Sequence, residues 1–299
     1  MLPTTELENP NTAQIDTLTT FECVTLINNE DKLVAGAVQA VLPQISETID
    51  KIVERLKNGG RLFYIGTGTS GRLGVLDASE VPPTFGVAPE LIQGIIAGGY
   101  DALYKATEAS EDEAAAGIEE LKQRGIAAGD AVVGIAASGR TPYTRGAVEF
   151  ARSLGCFTAC IVCSTDSPLS RVAEIAIEPI VGPEVLTGST RMKAGTAQKM
   201  VLNMISTVAM IRLGYVRGNR MTNVKSSNHK LKERSIRILM AETGLGIAAA
   251  RDLFDRAGED LRVAIVMFRT NADYHSARRA LADASYVIEA AANTLSKQR

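Results

Sequence analysis

Apolar residues recur every three or four positions between Phe21 and Leu56. Leu33, Val34, Val38, Val41, Leu42, Ile45, Ile49, Ile52, Val53 and Leu56 fall on one stripe, the period of an amphipathic helix. Asn58-Gly59-Gly60 closes it with the glycine that helix ends favour. The pattern then changes to short apolar runs, at Arg61–Gly66, Leu91–Ala97, Ala131–Ala137, Phe157–Cys163 and Glu174–Val181. Helical stretches near 71–80, 108–125 and 140–154 lie between them. Unalternating runs separated by helices predict a five-stranded parallel sheet covered on both faces, a doubly wound α/β fold. After Thr187 the chain reads as long helices over 192–240. Gly244, Gly246, Gly258 and Asn271 then break the remainder into short ones. The organisation expected is a polar arm over 1–20, a sheet domain with its leading helices over 21–234, and a small helical domain over 235–299.

Composition narrows the class. The chain has 299 residues, 45% hydrophobic and 22% charged, enough for a full core. A net charge of −2 provides no global field for nucleic acid or an anionic membrane, so an anionic ligand must be met by local arginines and lysines. The start of the chain, Met1 to Glu8, is acidic and polar, without a basic leader and apolar core. The longest apolar stretch, 200–211, is interrupted by Asn203, Ser206 and Thr207. A cytoplasmic protein is expected, with no membrane partner. Of the four cysteines, Cys160 and Cys163 would point to opposite faces of a strand, and Cys156 and Cys23 add no ligand geometry. His229 and His275, the two histidines, lie far away in sequence, so buried thiols are expected rather than a metal site.

The candidate chemistry begins at Gly66-Thr67-Gly68-Thr69-Ser70-Gly71, directly after the first strand. Alone it spells the dinucleotide fingerprint. Hydroxyl-and-glycine turns recur at Ala137-Ser138-Gly139-Arg140-Thr141 and Thr187-Gly188-Ser189-Thr190-Arg191. A helix start offers unpaired N–H groups, glycine lets the backbone approach an anion, and hydroxyls and guanidinium add donors. Each turn read singly also serves as a helix cap. A dinucleotide site needs a carboxylate at the end of the second strand; here Gly98-Gly99 follows that strand and Glu90 precedes it. The pattern therefore points to a small phosphorylated ligand and away from a nucleotide cofactor. Glu80 reads as a solvated glutamate at a helix end that Pro82-Pro83 terminates. Around Glu111, Ser110 and Glu113 have the spacing of a capping box. Lys193 and Lys199 read as a solvated helix face, and Arg72 and Arg140 as ordinary salt-bridge partners.

The stretch Gly182-Pro183-Glu184-Val185-Leu186-Thr187-Gly188-Ser189-Thr190-Arg191-Met192-Lys193-Ala194-Gly195-Thr196-Ala197-Gln198-Lys199 closely resembles a signature shared by N-acetylmuramic acid 6-phosphate etherases and the glucokinase regulatory protein, both sugar isomerase (SIS) domain proteins. The segments 66–74, Asp77-Ala78-Ser79-Glu80 with Pro82-Pro83-Thr84, and 134–143 resemble the etherases in particular. The similarity runs from about Asn11 to the C-terminal helices, whereas the regulatory protein is much longer and carries a second SIS domain. The resemblance implies removal of D-lactate from N-acetylmuramate 6-phosphate by elimination and water addition, with neither redox cofactor nor metal. It implies Glu80 as the acid toward lactate and Glu111, in the Glu111-Asp112 pair, as the base, with Glu108 a less favoured substitute. Phosphate contacts fall to Thr67, Thr69, Ser70, Ser138, Gly139 and Thr141, and Ser189, Thr190 and Arg191 complete the sugar site. A homodimer is implied too, with the Lys225–Arg234 stretch, including His229 and Lys230, near the partner's site. A sugar-phosphate isomerase or a non-catalytic sugar-phosphate sensor of the same fold are the alternatives. Two glutamates suited to acid–base work favour an enzyme.

Overall fold

The computed structural model describes residues 3–105, 111–222 and 229–297. The long N-terminal stripe is two helices, α1 (Thr20–Gln39) and α2 (Leu42–Lys57). Thr19 and Glu22 start α1 with a reciprocal capping box. Pro43, in the first turn of α2, has no N–H to continue an earlier helix, so the chain breaks at Ala40–Val41. The stripe holds for α2, where Ile45, Ile49, Ile52, Val53 and Leu56 are buried. On α1, Val34 and Val38 of the stripe are buried and Leu33 is exposed.

The alternating segment follows as β1 (Leu62–Gly66), α3 (Gly68–Phe85), β2 (Ile92–Ile96), α4 (Ala114–Gln123), β3 (Ala131–Ile135), α5 (Pro142–Ser153), β4 (Phe157–Ile161), α6 (Pro168–Val172) and β5 (Ile175–Ile177). The strands form one sheet in the order β2-β1-β3-β4-β5, and every pairing is parallel. Every residue of β1, β3 and β4 is buried, which is why their sequences do not alternate. Leu62 stands opposite both Ile92 and Ala131 in register. Gly94 in β2 lets α3 lie close, because a Cβ there would run into the Val75 backbone. The strand order reverses between β1 and β3, and in such sheets the ligand crevice opens at the carboxyl ends of those two strands.

One helix end departs from expectation. α3 does not stop before Pro82-Pro83 but carries both prolines within it and ends at Phe85. The Gly86 N–H donates to the Pro82 carbonyl at 2.8 Å, so the turn closes despite two missing donors.

Next come α7 (Lys193–Arg212), a hairpin of β6 (Val216–Arg217) and β7 (Arg220–Met221), and the helices α8 (His229–Thr243), α9 (Ile247–Arg256), α10 (Leu261–Thr270), α11 (Tyr274–Asp283) and α12 (Ile288–Lys297). The hairpin replaces part of the helix expected over 192–240. Gly218-Asn219 forms its two-residue turn, with Gly218 at φ +56°. The chain divides into two compact units, one running to Ser79 and including Pro89–Thr207, the other comprising Glu80–Ala88 and the chain from Val208 onward. The first contains the sheet, with Phe63, Ile65, Val132, Val148 and Cys160 in its core. The second packs Leu239, Phe254, Ile265, Val266 and Leu281 together.

Cys156, Cys160 and Cys163 are buried free thiols. Burial pushes them up to about 11, 12 and 12, far from reactive thiolates. Among the described residues, no group of three or more His, Cys, Asp or Glu is placed to hold a metal ion, and no helix is long and apolar enough to cross a membrane.

Candidate active site

The first and second hydroxyl turns stand at the carboxyl ends of β1 and β3, the two strands at which the order reverses. In the first, Thr67 and Ser70 are buried, and the Thr67 carbonyl accepts from the Gly71 N–H at 2.9 Å as α3 begins. Ser70 Oγ donates to Gln198 Oε1 of α7 at 2.9 Å. Gln198 is 1% exposed, and its Nε2 has no partner among the described residues. Sequence reasoning passed over this donor; it lay within the signature stretch but in a helix with no pattern to mark it as buried.

The second turn is fixed by backbone bonds. Gly139 sits at φ +65°, and a Cβ there would collide with Ser167. Its N–H donates to the Ala136 carbonyl at 3.1 Å, and its carbonyl accepts from the Leu169 N–H at 3.0 Å. Ser138 Oγ accepts from the Arg140 N–H at 3.3 Å. Thr141 is the N-cap of α5, yet its side chain makes no capping hydrogen bond. The cap explanation thus fails for the Thr141 hydroxyl.

Glu111 lies between these turns. Its backbone carbonyl accepts from the Tyr143 N–H of α5 at 3.1 Å, and its Oε1 stands 3.4 Å from where a Cβ on Gly68 would be. One residue therefore touches the helix start of each turn. The expected capping box does not account for it. α4 begins at Ala114 with Glu113 as N-cap, which makes no side-chain cap bond, rather than at a Ser110 cap with Glu113 in the first turn. Ser110 and Glu108 lie outside the described residues. Arg72 donates to the Leu103 and Lys105 carbonyls at 3.1 and 3.2 Å, holding the chain that leads toward Glu111.

The third turn adjoins the first. A Cβ on Gly195 would be 3.5 Å from both the Thr190 carbonyl and Thr69 Cγ2. Ser189 and Thr190 are half-buried, and Arg191 is exposed. The start of α7 is already occupied, because the buried Glu184 carboxylate accepts from the Lys193 and Ala194 N–H groups at 2.9 Å each. The chain's own anion meets that helix dipole. Lys193 is not solvated as expected. It is 1% exposed and pairs with Glu30 of α1 at 2.6 Å, while Asn9 and Asn11 also donate to Glu30. Burial works to raise the Glu30 carboxyl, but Lys193, Asn11 and Asn9 outweigh it and hold it below its ordinary value. Thr12 donates to the Val185 carbonyl at 2.8 Å, so the N-terminal segment straps the loop that carries this turn.

Glu80 is exposed and lies twelve residues beyond Gly68 on α3. At about 1.5 Å per residue that is about 18 Å along the axis. One turn before it, Asp77 is buried and accepts from Asn203 Nδ2 and Ser206 Oγ of α7, both at 3.0 Å. Burial raises the Asp77 carboxyl to about 6, against the opposing hydrogen bonds of Ser206 and Asn203. His229 is the exposed first residue of α8; residues 225–228 and the Lys230 side chain lie outside what the structure describes.

Comparison with known proteins gives the family. Residues 44–152 match the glucokinase regulatory protein N-terminal SIS domain, and residues 113–208 match the SIS domain. A candidate phosphosugar isomerase involved in capsule formation from Bacteroides fragilis superposes with a TM-score of 0.50 at 17% identity, over 67% of this chain and 95% of that one, a likeness of fold. An N-acetylmuramic acid 6-phosphate etherase of Klebsiella aerogenes is 50% identical over 291 residues, covering 97% of both chains. Another, from Jannaschia sp., is 52% identical over 260 residues, covering 87% of this chain and 82% of that one. Identity of that extent, spanning sheet and C-terminal helices alike, means that the chain belongs to the N-acetylmuramic acid 6-phosphate etherase family.

Proposed function

We propose that the protein cleaves the lactyl ether of N-acetylmuramate 6-phosphate, releasing D-lactate and leaving N-acetylglucosamine 6-phosphate. The observation that carries this is the position of Glu111 between two hydroxyl turns, its carboxylate beside Gly68 and its backbone carbonyl tied to the start of α5. Phosphate binds at the turns through Thr67, Thr69, Ser70, Ser138, Gly139 and Thr141, with Ser189, Thr190 and Arg191 toward the sugar. In the open-chain sugar, the carbon bearing the acetamido group lies next to the aldehyde, so its proton is acidic. Glu111 removes that proton, the carbon–oxygen bond of the ether breaks at the neighbouring carbon, and an acid protonates the departing lactate oxygen. Water then adds to the resulting double bond and the acetamido carbon regains a proton. The net change is one water consumed and one lactate released.

The acid is Glu80, contributed by a second copy of the chain. The length of α3 between Gly68 and Glu80 supports this, since base and acid must meet at adjacent carbons of one small molecule. The working form is then a homodimer, with the stretch around His229 and Lys230 near the partner's site. Incubation with N-acetylmuramate 6-phosphate followed by a D-lactate assay tests the activity. In oxygen-18 water the label enters the sugar; label found in lactate would mean cleavage of a different bond.

A further inference from the structure

The first turns of α7 lie against the start of α3. A Cβ on Gly195 would be 3.5 Å from Thr69 Cγ2, and three residues later Gln198 Oε1 accepts from Ser70 Oγ at 2.9 Å. Ser70 belongs to the first hydroxyl turn, where the reading above puts the substrate phosphate. A serine hydroxyl carries one proton, and here it is directed at Gln198. Toward an incoming phosphate oxygen Ser70 then has only lone pairs, and these repel it.

The other end of the same amide is left over. Gln198 is 1% exposed, and its Nε2 has no hydrogen-bond partner among the described residues. A buried amide donor without a partner is unfavourable. Joining the two helices does not in itself require an idle donor. Further along α7, Asn203 Nδ2 and Ser206 Oγ both donate to Asp77 of α3 at 3.0 Å. Because Nε2 is shut off from solvent, an anion in the crevice is reached through Ser70 and not by the amide directly. A half-turn of the carboxamide removes both conflicts. Nε2 then donates to Ser70 Oγ, and the Ser70 proton is free to turn to the phosphate. Each bond in such a donor chain polarises the next.

We propose that Gln198 is a positioning residue for phosphate recognition, its amide turning on binding so that Nε2 donates to Ser70 and Ser70 donates to the phosphate. The inference rests on the sugar-phosphate reading of the first turn. It adds to that turn a residue of α7 that touches no substrate atom.

The test is a double-mutant cycle read by calorimetric titration with N-acetylglucosamine 6-phosphate. Ser70→Ala and Gln198→Met are each expected to weaken binding roughly tenfold, the loss of one hydrogen bond to a charged group. The double variant binds no more weakly than Ser70→Ala, because Gln198 acts only through that hydroxyl. In turnover of N-acetylmuramate 6-phosphate, the Gln198→Met loss falls on KM rather than kcat. Gln198→Glu keeps the shape and the acceptor but, when ionised, has no proton to give, so it weakens binding as well. Wild-type affinity in either Gln198 variant overturns the proposal. Losses that add in the double variant also overturn it, since Gln198 would then act elsewhere. Wild type that binds the sugar phosphate but releases no D-lactate loses the etherase reading alone. Wild type that does not bind it ends both.

Discussion

The role proposed for Glu111 rests on its surroundings. An acidic residue next to a helix start needs no chemistry to explain it, and the sequence offered such an explanation through Ser110 and Glu113. That explanation gives way because α4 starts later and Glu113 is itself the N-cap, leaving Glu111 against Gly68 and Tyr143. The two proposed roles are separable by isotope exchange. Glu111→Gln should lose both solvent exchange at the acetamido carbon and lactate release, by a factor of about 10² to 10⁴. Glu80→Gln should lose lactate release to a similar degree and still exchange the proton. Proton NMR in deuterium oxide beside a lactate assay reads both. Normal turnover in Glu80→Gln would end its assignment as the acid, and undiminished exchange in Glu111→Gln would remove the base. As a candidate, Glu111 was legible through the Glu111-Asp112 pair of the resemblance. Lys193 was not, because helical position alone cannot show that a lysine is buried opposite Glu30, which is distant in sequence. Gln198 escaped for the same reason.

At the scale of elements, the strands were legible because each is buried on both faces and reads as an unbroken apolar run. The end of α3 was not. Proline in a helix removes donors without forbidding the helical backbone, and here the turn closes on Pro82 instead of stopping before it. The β6–β7 hairpin escaped because its strands are two residues each, too short to show a period. What joins α3 to α7 is also invisible in sequence: Asp77 accepts from Asn203 and Ser206, while Asp77 Oδ2 and the Tyr64 hydroxyl make no full hydrogen bond. This buried carboxyl has a pH signature. It titrates near 6 when folded, against 3.8 ordinarily, so between those values the folded chain holds a proton that the unfolded chain has lost. Stability contributed by Asp77 therefore falls as pH rises from about 4 to 6, by about 3 kcal/mol, and is level above. Asp77→Asn keeps an acceptor for Asn203 and Ser206 and cannot titrate. Urea unfolding of both proteins at pH 4.5 and pH 7 should show the variant gaining on wild type at the higher pH. A stability difference that is the same at both pH values would mean that Asp77 does not titrate in this window.

For the whole molecule, the proposed reaction requires Glu80 and Glu111 at one substrate. α3 carries Glu80 twelve residues beyond Gly68, about 18 Å along its axis. In the twofold-symmetric dimer proposed above, each site draws Glu111 from one copy and Glu80 from the other. Genetics can separate this from a one-chain site. Glu80→Gln and Glu111→Gln, each inactive alone, are co-expressed at equal levels. Half of the dimers then carry one copy of each, and one of their two sites combines an intact Glu111 with an intact Glu80. Activity should recover to about a quarter of wild type, the statistical yield for a shared twofold site. If each chain supplies both residues to its own site, every site in the mixture carries a lesion and no recovery occurs. The same preparation, run through size-exclusion chromatography with light scattering, must elute its activity at the mass of a dimer. Restored activity in a monomer fraction would be incompatible with Glu80 acting across subunits.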